Sequence, residues 1–171
     1  MNSVGKTTLN INPIYKFLLY QMIKKDLSSH IACDGNSLST YNIDHKQKMY
    51  GNPLYYFVLR KIKKKIEKVV NGRLSPHSMW FNVNRKGGRT INHNHYTVGE
   101  DKISGAYYLS KPENSGNIIF NTLDDKVFVK VNTNDLIFFD SKFYHETEEN
   151  KSNQERIICG FNFLVSYWHP P

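Results

Sequence analysis

The sequence predicts a mainly β fold, a double-sheet barrel supported by helices from its N-terminal part, and three observations predict it. The chain is rich in residues that favour strands, with 11 Tyr, 10 Phe and an aromatic share of 13%. From residue 79 onward, short extended runs alternate with turn residues, at 79–84, 90–97, 103–110, 117–121, 126–131, 135–140 and 156–167. No helical period separates these seven runs, which argues for a barrel of two sheets and against parallel βαβ units.

The part before residue 79 reads differently. Asn12-Pro13 marks a helix start, and Ile14, Phe17, Leu18, Met22 and Leu27 carry an apolar pattern compatible with a helix within 12–30. Residues 33–51 are rich in Asp, Gly, Asn and Ser without a sustained period, so a loop with one short strand is expected there. Pro53 opens a stronger helix. Tyr55, Leu59, Ile62, Ile66, Val69 and Val70 recur at three- and four-residue steps until Asn71-Gly72 ends it. In the second part the turns have matching chemistry at Lys86-Gly87-Gly88, Pro112-Glu113-Asn114-Ser115-Gly116 and Asn132-Thr133-Asn134-Asp135.

At 171 residues, 39% of them apolar, the whole chain 1–171 reads as one globular domain, with 1–78 as helical support and 79–168 as the barrel. No apolar run approaches the roughly 20 residues of a membrane-spanning helix. The first residues lack the apolar stretch of a secretion signal, and the two cysteines, Cys33 and Cys159, form neither a disulfide framework nor a zinc motif. A reducing cytoplasm is the expected setting. The net charge of +8 is concentrated in 60–68, which reads as the wet face of one helix rather than as a nucleic-acid surface. Val4-Gly5-Lys6-Thr7-Thr8 matches only the tail of a phosphate-binding loop; without the leading glycine and strand, it gives no case for ATP.

The chemistry is concentrated in His93-Asn94-His95. On a strand, two imidazoles two positions apart project from one face and can chelate one ion. His145 follows the apolar run 135–139 as if at a strand end and can complete a facial three-ligand site with open positions. Eleven residues later Arg156 heads the strand 156–163, where an inward guanidinium is costly to bury without an anionic partner. A dicarboxylate supplies one through planar, bidentate contacts.

Trp80-Phe81-Asn82-Val83-Asn84, Lys86-Gly87-Gly88, His93-Asn94-His95, Ser104-Gly105-Ala106-Tyr107-Tyr108-Leu109, Ser115-Gly116-Asn117-Ile118-Ile119-Phe120, Phe138-Phe139-Asp140-Ser141, His145, Asn150 and Arg156 form an ordered set. This set resembles the prolyl-hydroxylase-like 2-oxoglutarate- and Fe(II)-dependent oxygenases found in phages and bacteria. The resemblance implies a double-stranded β-helix (jelly roll) with N-terminal helices outside the larger sheet. It also implies O₂-dependent hydroxylation of a peptidyl or small-molecule substrate, with His93, His95 and His145 on Fe(II) and Arg156 on 2-oxoglutarate. Two departures stand out. The wider superfamily uses His-x-Asp where this chain has His95, and Ile158 stands where many relatives carry a hydroxyl two residues after the arginine. Asn82 or a tyrosine can replace that hydroxyl. Alternation lets only one of Tyr107 and Tyr108 look into the barrel, and Tyr108 is taken with Asn82 as the supporting pair.

Two rivals accompany this reading. A metal-dependent cupin would use His93, His95, Glu100 and His145, leaving Arg156 without a role. A non-catalytic jelly-roll module would bind no metal.

Overall fold

The computed structural model describes residues 4–41, 50–122 and 125–166. Two helices cover one face of a six-stranded antiparallel sheet, and a three-stranded sheet faces the other side, giving a double-stranded β-helix, or jelly roll.

The strands are β1 (Gly5–Thr8), β2 (Cys33–Asp34), β3 (Ser37–Ser39), β4 (Arg73–Asn84), β5 (Arg89–Thr90), β6 (Lys102–Ser110), β7 (Ile118–Asn121), β8 (Lys126–Val129), β9 (Asp135–Asp140), β10 (Tyr144–Thr147) and β11 (Arg156–Ser166). The large sheet runs β1-β9-β6-β11-β4-β3, the small one β10-β7-β8, and β2 pairs with β5 alone.

Helix α1 spans Pro13–Lys25, capped by the Asn12 carboxamide, which accepts from the Ile14 amide at 2.9 Å. Helix α2 spans Pro53–Val70; Asn52 accepts from the amides of Leu54 and Tyr55, and Asn71, at φ 49°, ends it in the left-handed region. Tyr55, Val58, Leu59, Ile62 and Ile66 of α2 pack with Leu19 and Ile23 of α1 onto Phe81, Val83, Tyr107, Phe138, Cys159 and Phe161 of the sheet. Each such burial contributes about 1.5–3 kcal/mol, which fixes the outer face of the sheet and so its inner one.

Alternation then decides what points inward. On β6 Ile103, Tyr107 and Leu109 belong to the helix side, while Ala106 and Tyr108 belong to the inner cluster with Ile118, Phe120, Ile137, Phe139 and Ile158. Tyr108 is therefore the tyrosine that looks into the barrel.

Several boundaries differ from the sequence expectation. Gly5–Thr8, to which the sequence assigned no element, pairs with β9 and forms one edge of the large sheet. The first core strand begins at Arg73 rather than at residue 79 and runs through Pro76. The ring is tolerated because the β11 pairing shifts register there: Asn162 pairs with Ser78, the next residue pairs with Pro76, and His77 is left over. The first helix stops at Lys25, short of residue 30, and Tyr167 lies outside the described residues. The 90–97 run is not a regular strand. Only Arg89–Thr90 is, and the chain then continues as an irregular segment held to β10 and to the turn before it.

Candidate metal centre

The irregular segment places its histidines more firmly than a free strand would. His93 and His145 exchange two backbone hydrogen bonds, amide to carbonyl at 3.0 Å and back at 2.9 Å, and the His95 amide donates to the Ser141 carbonyl at 2.9 Å. The three rings converge, with centroids 4.4 Å apart for His93 and His145, 4.8 Å for His93 and His95, and 5.2 Å for His95 and His145. One ring nitrogen from each lies within 4.8 Å of the others, a group able to hold a metal ion.

Hydrogen bonds select which nitrogen is free. His93 Nδ1 lies 2.7 Å from the Ile91 carbonyl and His145 Nδ1 lies 3.0 Å from the Phe143 carbonyl, so each Nδ1 carries the proton and leaves the Nε2 lone pair for a ligand bond. His95 is held instead by packing against the Trp80 indole, 5.3 Å between centroids. Gly160 lets that indole lie flat: a Cβ there would stand 2.4 Å from Trp80 Cε2. Burial lowers the pKa of all three histidines, to about 2 for His95 and about 3 for His145; the other two imidazoles and Lys102 add to the effect on His95. All three are neutral at physiological pH, the form that binds metal.

Among the described residues no carboxylate joins the group. Glu100, the fourth ligand of the cupin reading, is turned away and pairs with Lys102 at 3.0 Å and with His77 at 3.8 Å.

Arg156 is wholly buried on the inner face. Its Nε donates to Asn84 Oδ1 at 3.1 Å, one terminal nitrogen donates to the Ser115 and Glu148 carbonyls, and the other donates to Thr147 Oγ1 at 2.9 Å. Among the described residues no carboxylate forms a salt bridge with it; burial brings its pKa down to about 10, against the opposing pull of Tyr108 and the Glu148 charge. Four of the five guanidinium N–H groups are thus taken. Thr147 follows His145 by two residues and is buried like it, so the two project inward from β10 about one strand repeat, roughly 6.6 Å, apart. Nearby, the Tyr108 hydroxyl and the Asn82 carboxamide oxygen are buried with no hydrogen-bond partner. Burial raises the pKa of the Tyr108 hydroxyl, which therefore stays protonated as a donor, and the Arg156 charge opposes that shift.

Sequence reasoning missed Thr147 and gave Asn84 and Ser115, though both belong to the ordered set, no role. Thr147 was within reach, because it shares the inward face of His145; the Ser115 carbonyl leaves no trace in residue identity.

No protein-family model matches the sequence, and no curated protein matches it either. Solved structures do. A prolyl-4-hydroxylase from Pseudomonas putida superposes with a TM-score of 0.64 at 14% identity, covering 98% of this chain and 95% of that one. The viral collagen prolyl hydroxylase of Paramecium Bursaria Chlorella virus-1, solved with 2-oxoglutarate, gives 0.63 at 21% identity over 95% and 94%. HygX from Streptomyces hygroscopicus, solved with nickel and 2-oxoglutarate, gives 0.71 at 10% identity over 98% and 84%.

The fold is that of the 2-oxoglutarate-dependent oxygenases. At these identities the likeness is one of fold, and it extends across nearly the whole chain, including the helices outside the large sheet.

Proposed function

We propose that this chain is an Fe(II)- and 2-oxoglutarate-dependent oxygenase, a hydroxylase acting on a peptidyl or small-molecule substrate. The observation that carries the reading is the shared inner face: three neutral imidazoles converge there, Thr147 stands one strand repeat from His145, and a buried arginine with no carboxylate salt bridge among the described residues donates to Thr147.

The residues fit both groups. His93, His95 and His145 would hold Fe(II) through neutral nitrogens, leaving positions open. The fifth Arg156 N–H and the unpartnered Tyr108 hydroxyl are two donors suited to the distal carboxylate of 2-oxoglutarate, with Asn82 beside them. An unpartnered buried hydroxyl costs about 1–3 kcal/mol, and an acceptor bound there relieves that cost. The Thr147 hydroxyl stands beside the guanidinium, bonded to it, where Ile158 offers no hydroxyl. Bound in this site, Fe(II) and 2-oxoglutarate supply the oxidative chemistry that inserts one oxygen atom of O₂ into a substrate C–H bond while the cosubstrate becomes succinate and CO₂. Arg156, Asn84 and Thr147 orient, Trp80 buttresses His95, and the inner cluster around Phe120, Phe139 and Ile158 excludes water.

The chain acts as one domain in a reducing cytoplasm on this reading, its two cysteines unbonded. Anaerobic titration with Fe(II) and then 2-oxoglutarate tests it: a weak visible charge-transfer band is expected on adding the cosubstrate. Fe(II) binding without that band would transfer the case to a metal enzyme that does not use 2-oxoglutarate.

A further inference from the structure

The second site is on the opposite side of the large sheet. The outward face of α2 carries Arg60, Lys61, Lys64, Lys65 and Lys68, none with an acidic partner among the described residues; the helix's single acid, Glu67, is taken by Lys63 at 2.6 Å and by the Leu74 amide. A solvated basic face explains the cations alone. It does not explain the rings among them.

Tyr50, Tyr56 and Tyr15 are exposed, at 55%, 39% and 45%, and Phe57 is half-buried between them. They form two neighbouring pairs, Tyr50 with Tyr56 at 6.2 Å and Phe57 with Tyr15 of α1 at 5.1 Å. Cations sit on the same rings, Arg60 at 5.8 Å from the Tyr56 centroid and Lys61 at 5.4 Å from that of Phe57. Pro53, Tyr56, Phe57, Arg60, Lys61 and Lys64 line a shallow groove of about 390 Å³.

Exposed rings interleaved with unpaired cations match a ligand that is at once polyanionic and able to stack. We propose that the α2 face binds single-stranded nucleic acid, with bases stacking on Tyr56, Phe57 and their neighbours and phosphates meeting Arg60, Lys61, Lys64 and Lys68. Because α2 packs on the outer side of the sheet and the histidines lie on the inner side, a strand held here is not presented to the metal centre. The surface tethers the protein to a nucleic acid, and it does so whether or not the inner site uses 2-oxoglutarate.

The test is fluorescence anisotropy of the full chain with labelled dT20 and U20, a labelled 20-bp duplex, heparin as competitor, and phosphatidylglycerol vesicles. The expected result is preference for the single strands over the duplex, with a log–log salt slope of about −3, as four or five single-strand phosphate contacts give. Lys61→Glu with Lys64→Glu should weaken binding at least tenfold and flatten the slope. Tyr56→Ala should weaken it severalfold and leave the slope unchanged; its exposure makes misfolding an improbable cause, and unchanged circular dichroism checks this. Equal affinity for duplex, or no effect of Tyr56→Ala, would reduce the face to a general polyanion surface and overturn the proposal. Vesicle binding in place of strand binding would overturn it in favour of a membrane surface, and no binding to any probe would overturn it outright.

Discussion

Arg156 donates to the Thr147 hydroxyl at 2.9 Å, and Thr147 stands two residues from His145 on the same face of one short strand. The proposed anion-binding group and a proposed metal ligand are therefore positioned by a single element, and a change in that strand reaches both.

Thr147→Val tests this coupling. The substitution keeps the shape but removes the acceptor used by both Arg156 and the Thr90 amide at 2.9 Å. We expect a stability loss of about 1–3 kcal/mol and a roughly tenfold weaker affinity for 2-oxoglutarate, with Fe(II) binding nearly unchanged. Equilibrium urea unfolding and the anaerobic titration measure the two effects separately. Arg156→Leu is a poorer probe, because it orphans the carbonyls of Ser115 and Glu148 as well.

The all-histidine ligand set makes a second prediction. His95→Ala should lower Fe(II) affinity by about 100-fold or more, whereas His95→Asp should keep metal bound, because a carboxylate at 95 restores the more usual third ligand. Glu100→Gln should leave metal affinity alone, since Glu100 faces Lys102 and His77. Calorimetry with Co(II) reads all three, and weakened binding in the Glu100 variant would revive the cupin arrangement.

Gly160→Ala should cost about 1–3 kcal/mol by forcing the Trp80 indole off the sheet, since the new Cβ would stand 2.4 Å from Cε2. The displaced indole no longer supports His95, so the near-ultraviolet circular dichroism of the chain should change and metal affinity should fall with it. A variant of wild-type stability and spectrum would show that the indole has room to move.

The buried imidazoles also set a pH dependence. The folded protein keeps His95 and His145 neutral down to pH about 2 and about 3, while in the unfolded chain both protonate near 6.5. The unfolded state then binds more protons, so the metal-free protein should be at full stability above pH 6.5 and lose about 1.4 kcal/mol per histidine for each unit of acidification below it. Denaturant midpoints between pH 7.5 and 4.5 measure this slope. His145→Asn should make it shallower.

Much of this was legible in the sequence because it depends on residue type and period. Asn12, Pro13 and Pro53 announce both helix starts, and the 135–140 strand has the bounds its apolar run gives. The convergence of His93, His95 and His145 followed from spacing, although the reason given, a regular strand, was not the one that holds them. Other features depend on distant partners. Gly5–Thr8 is a strand because β9 offers it a free edge, and Pro76 sits inside β4 because β11 shifts register opposite it. Which of Tyr107 and Tyr108 looks inward was decided by the helices covering the other face, and two of Arg156's four neutral partners are backbone carbonyls, which no sequence pattern marks.

The reciprocal backbone bonds between His93 and His145 bear on how the proposed site would acquire metal. Two ligands locked by amides and carbonyls need no chain ordering when an ion arrives. Loading and exchange then run at the pace of ligand substitution on the ion, so whichever divalent cation is most abundant during purification will occupy the site first, and chelation followed by reloading should return the intended metal without a refolding step.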